Sequence, residues 1–193
     1  RLSSSEVCFN EGSGNIDFRI ETNNNANAFL IDGANDTIAL NDTAPDTTEG
    51  GICFNQLGAD NVIITLKSSD VAHGMTDNAE TDTYFFMKKG NPTEGGVYMQ
   101  GHSETASPGI RITAATTTAS QTEATNALGG INLEGSLKSG NSIDAHGADD
   151  NILIVRNHGT TNFIVKGDGE LFSNQSATVG TYDAYEDAQL VRA

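Results

Sequence analysis

One unit occurs twice in this chain, and it constrains the fold more than any other feature. Val7-Cys8-Phe9-Asn10 leads through a glycine-bearing turn into Ile16-Asp17-Phe18-Arg19-Ile20. Ile52-Cys53-Phe54-Asn55 leads through a similar turn into Val62-Ile63-Ile64-Thr65-Leu66. The offset from Val7 to Ile52 is 45 residues, and the second turn carries one residue more. In Ile16-Asp17-Phe18-Arg19-Ile20 apolar and polar residues alternate, which predicts a strand with one buried face. Self-similarity at such a period predicts stacked β units.

A second element recurs. Phe29-Leu30-Ile31-Asp32-Gly33 returns as Phe163-Ile164-Val165-Lys166-Gly167, and a strand pattern precedes each copy. Asp-Gly between two apolar runs predicts a hairpin, because tight turns favour positive φ. The expected class is therefore all-β, built from repeated hairpin units. The boundaries fall at 1–66 for an N-terminal repeated region, 67–140 for a β-rich middle module, and 141–180 for a closing hairpin repeat. The middle module holds strands at 83–89, 96–100 and 109–113, with alternation at Ile131, Leu133 and Leu137. Residues 181–193 lack Gly and Pro, place acids early and Arg192 late, and predict a short helix.

Composition adds a second constraint. Hydrophobic residues are 36% of the 193, aromatics are 6%, and there is no Trp. So little apolar material offsets chain entropy poorly in a monomer. The alternating strands argue against disorder, so burial between identical chains is expected. The formal net charge is −16, and no Lys or Arg falls between Ile20 and Leu66. That surface repels nucleic acid and anionic membranes. No apolar run reaches the ~18 residues of a membrane span. Arg1-Leu2-Ser3-Ser4-Ser5 lacks the apolar core of a secretion signal. The chain starts without Met, so processing, or membership of a longer protein, is expected.

Motifs for chemistry are sparse. There is no phosphate-binding glycine loop, nucleophile elbow or His-Glu-x-x-His. His73, His102, His146 and His158 are far apart in sequence, and each is expected on the surface or in a loop. Cys8 and Cys53 hold equivalent repeat positions a layer apart and are expected as buried free thiols. Asp32-Gly33-Ala34-Asn35-Asp36 and Asp149-Asp150 carry oxygens suited to calcium but lack the EF-hand spacing, and their turn role is the preferred reading. No cofactor, metal or catalytic residue is assigned.

The unit Ile16-Asp17-Phe18-Arg19-Ile20-Glu21 with Phe29-Leu30-Ile31-Asp32-Gly33 resembles repeats in tail-fibre and related virion proteins of tailed bacteriophages. The stretch 152–170, the segment 66–75 with 80–84, and the Tyr-Asp-rich 182–187 resemble the same proteins. The resemblance implies an elongated, intertwined homotrimeric fibre or spike whose apolar strand faces meet near a common axis. It implies a structural virion protein for host attachment, without catalysis. Its partners would be copies of itself, other virion proteins and a host-surface glycan or protein. Receptor-facing loops are expected at Asn91, Thr93 and Glu94, and in the polar tract at Thr116, Thr117, Thr118 and Gln121. Rival readings are a capsid decoration fibre, a polysaccharide-depolymerising tailspike and a bacterial adhesin.

Overall fold

The computed structural model describes residues 9–10, 12–47 and 50–174. Among them every regular element is a strand. They are β1 (Phe18–Thr22), β2 (Asn25–Asp32), β3 (Thr37–Leu40), β4 (Ile52–Phe54), β5 (Val62–Lys67), β6 (Thr83–Asn91), β7 (Gly95–Gly101), β8 (Leu137–Ser139), β9 (Ser142–Asp144), β10 (Asn151–Asn157), β11 (Thr160–Lys166) and β12 (Leu171–Ser173). The all-β expectation therefore holds. The helix expected over 181–193 lies outside the described residues, as does Cys8.

The strands form four small sheets: β1-β2-β3-β4, β5-β6-β7, β8-β9 and β10-β11-β12. Every pairing is antiparallel except β3 with β4. The chain divides into two units, Arg1–Ile112 with the first two sheets and Thr113–Ala193 with the others. The strand halves of the duplicated unit become β1 and β5. Each pairs antiparallel with the strand that follows it. Two turn residues separate β1 from β2, whereas residues 68–82 separate β5 from β6.

The Asp32-Gly33 turn forms where expected, but for a different reason. Asp32 Oδ1 accepts the N–H of Ala34 at 2.8 Å and of Asn35 at 3.2 Å, and the left-handed residue is Asp36 at φ 52°. Gly33 is required for space. A Cβ there would meet the Ile16 backbone oxygen at 2.6 Å.

Two expected strands are absent. Residues 109–113 and 131–136 are irregular, and Ile110, Ile112, Ile131 and Leu133 are exposed. Alternation shows which side chains would share a face, but a ladder also needs a partner strand. Residues 109–110 instead run against β7. A Cβ on Gly101 would lie 1.9 Å from the Gly109 carbonyl oxygen, so two glycines let the backbones cross.

Among the described residues the interior is small: Leu30, Ala39 and Phe86 are the buried apolar ones, joined by Thr37, His73, Thr83 and His102. All seven belong to Arg1–Ile112. No described residue of Thr113–Ala193 is buried.

Candidate functional site

The two faces of the first sheet differ sharply. Paired residues share a face. The register therefore places Phe18, Ile20, Phe29, Ile31, Ile38, Leu40, Ile52 and Phe54 on one side. All eight are apolar, and none is buried; Ile52 is 54% and Phe54 44% exposed. The opposite side carries Arg19, Leu30, Asp32, Thr37, Ala39 and Cys53, and there Leu30, Thr37 and Ala39 are buried. So the chain covers its small-residue face and leaves the large apolar one open.

The topology explains the choice of side. A parallel β3–β4 pair needs a connection that crosses one face of the sheet. Asp42, in that connection, accepts from the Asn55 amide at 2.7 Å and lies 3.7 Å from Cys53 Sγ. Cys53 belongs to the small-residue side, so the connection crosses there. The Ala44 N–H and the Asn55 amide hold the Asp42 carboxyl below its ordinary range. Burial, then the Asp42 charge, push the Cys53 thiol up. Cys53 is free, as expected, but half-buried rather than buried.

Fully burying a Phe, Leu or Ile side chain stabilises by about 1.5–3 kcal/mol. With five of the eight exposed and Phe29, Ile38 and Leu40 partly covered, the face forgoes on the order of 5 kcal/mol, a sizeable share of a domain's stability.

The same asymmetry recurs in β5-β6-β7. Ile64, Leu66, Phe85, Met87, Val97 and Met99 share a face by register, and none is buried; Val97 is 70% exposed. The other face carries Phe86, Tyr98 and Gln100, with His102 following β7; there Phe86 and His102 are buried, while Tyr98 is 43% exposed. In β10-β11-β12 both faces are apolar. Leu153, Val155, Phe163, Val165 and Leu171 occupy one, and Ile154, Ile164 and Phe172 the other.

Two histidines depart from expectation. His73 and His102 are buried at 8% and 5% exposure, and their rings stack with centroids 4.5 Å apart. Sequence spacing hides this. His73 belongs to the connection 68–82 and His102 follows β7, so only the fold brings them together. His146 is half-buried, with Nδ1 3.8 Å from Asp150 Oδ2, and His158 is exposed as expected.

The residues expected to face a receptor lie on loops, with Asn91 at a strand end. Asn91 closes β6 and organises the tip. Its Oδ1 accepts the N–H of Thr93 at 3.0 Å and of Glu94 at 3.1 Å, and its amide donates to Glu94 Oε2 at 3.1 Å. Thr93 and Glu94 are exposed. Thr116, Thr117, Thr118 and Gln121 are exposed in an irregular stretch of Thr113–Ala193.

Carboxylates serve turns. Asp32 is held below its ordinary range by the Asn35 side chain and the Ala34 N–H. Asp150 Oδ2 accepts the Gly147 N–H at 2.8 Å. Among the described residues no three His, Cys, Asp or Glu side chains converge as a metal site. A cavity of about 580 Å³ has Phe18 and Ile31 of the open face among its walls, with Asp17, Asp32 and Asp36. Set against protein-family profiles, curated proteins and solved structures, the chain matches none.

Proposed function

We propose that this protein is a self-assembling structural segment, a homotrimeric β fibre or spike of a phage virion that contacts a host surface. The open face of the first sheet carries the reading. Eight large apolar side chains share one face and none is buried, while Leu30, Thr37 and Ala39 opposite are. This arrangement suits a strand face that closes against another copy of itself.

The β10-β11-β12 sheet favours three copies over two. An isologous pair covers one face of each sheet. A sheet apolar on both faces calls for two neighbours, which a closed ring of copies supplies. The acidic surface, with its net charge of −16, keeps such a particle soluble and free of nucleic acid. Recognition falls to the exposed loops at 91–94 and 114–122.

Sedimentation equilibrium of the whole chain tests assembly. The expected mass is three times the 20.2 kDa of one chain. A monomer at micromolar concentration overturns the reading. Deleting 114–122 is expected to reduce adsorption to host cells while the trimer mass stays unchanged. Full adsorption by that variant removes the tract from recognition.

A further inference from the structure

We infer that His73 and His102 form an acid-released latch: as neutral rings they fasten the connection 68–82 to one face of the β5-β6-β7 sheet, and protonation in mild acid lets it go. The inference does not depend on the trimer.

Hydrogen bonds define the protonation state of both rings. His73 Nδ1 accepts the Met75 N–H at 3.0 Å, so its proton sits on Nε2. The Tyr98 hydroxyl donates to Gln100 Oε1 at 2.7 Å. The Gln100 amide nitrogen then lies 3.1 Å from His102 Nε2 and donates to it, which leaves the His102 proton on Nδ1. The two proton-bearing nitrogens, His73 Nε2 and His102 Nδ1, are buried with no partner within hydrogen-bond distance. Each ring is thus held through the lone pair that an added proton must occupy. Protonating either one breaks its bond and buries a charge 4.5 Å from the other ring.

Among the described residues no carboxylate pairs with that charge, and the Thr83 backbone favours it at His102 without outweighing burial. From β5, Lys67 is engaged by Glu80 and by Asp82 at 3.1 Å. In the connection, Asp70 accepts from the Ser68 hydroxyl, and Asp77 is the remaining acid. From β6, Lys88 lies over the Phe86 and Tyr98 rings, and the other titratable groups are Tyr84 and Lys89, which pairs with Asp60 at 2.6 Å. Glu104 follows His102 in the chain. Among the described residues none of these carboxylates pairs with either ring.

Burial first, and then the His73 charge, depress the affinity of His102 for a proton; the Thr83 backbone opposes them. A histidine depressed in the folded state leaves stability untouched above its unfolded value, near 6.5. Stability is lost as pH falls from there through the folded value, because the unfolded chain binds the proton first. The sensitive window therefore lies below about pH 6.5.

Hydrogen exchange of residues 68–82 in the full chain, corrected for intrinsic rates, tests the latch. Between pH 7.5 and 5.5 protection is expected to fall about tenfold, because histidines of the opened segment, ordinary near 6.5, take up protons over this range. Strands β1–β3 serve as the reference and should hold their protection. In the double variant His73→Phe, His102→Phe the difference between the two pH values should shrink below about twofold. An undiminished difference in that variant, or none in the parent, overturns the latch. Ring-nitrogen NMR of the parent supplies an independent reading should the variant fail to fold. Above the transition it should show His73 protonated on Nε2 and His102 on Nδ1. The opposite tautomers, or charged rings at pH 7.5, overturn it as well.

Discussion

Thr37 shows how narrow the margins are at the scale of one residue. It is 0% exposed, and its hydroxyl has no hydrogen-bond partner among the described residues. A buried hydroxyl left unpaired costs about 1–3 kcal/mol relative to water. Valine has nearly the same shape and no polar atom. Thr37→Val should therefore raise stability by about 1 kcal/mol, read as a higher urea midpoint at unchanged slope. A fall would mean that the hydroxyl is paired in the assembled protein. At this same scale the sequence misled most. Thr and His are ordinary surface residues on composition, and nothing local marks Thr37, His73 or His102 as interior.

Among elements, close crossings of backbone decide where segments run. Residues 109–113 alternate like a strand yet make none, because the Gly101–Gly109 contact sets their course over β7. Gly101→Ala should destabilise Arg1–Ile112 by about 1–3 kcal/mol, since backbone rather than a movable side chain fills the space. Gly58→Ala is the matched control, because a Cβ there meets nothing within 4 Å. Thermal unfolding of the two variants checks this, and equal midpoints would contradict the crossing. The hairpins were more legible. Asp32-Gly33 and Gly167-Asp168-Gly169 sit at turns as their residues suggest, with Asp32 and Asp168 accepting backbone N–H groups two residues on.

For the molecule as a whole, the open apolar faces dominate. In the proposed assembly a carboxylate placed among them must be desolvated, at a cost of several kcal/mol. Ile52→Asp should consequently shift the chain toward its 20.2 kDa monomer in sedimentation. Thr93→Asp, on the exposed tip of the β6–β7 hairpin, should leave the mass unchanged. Dissociation by both, or by neither, would show that the first sheet does not form the seam.

Period-two alternation and paired turn residues determined by themselves that this protein is built from short strands and hairpins, because both are local consequences of backbone geometry. Apolar poverty also told in advance that the chain holds little interior of its own. Which face of each sheet is covered could not be read that way. It depends on the β3–β4 crossover, on glycine crossings such as Gly101 with Gly109, and on the meeting of His73 with His102. Those contacts join residues distant in sequence, and only the folded chain brings them within reach of one another.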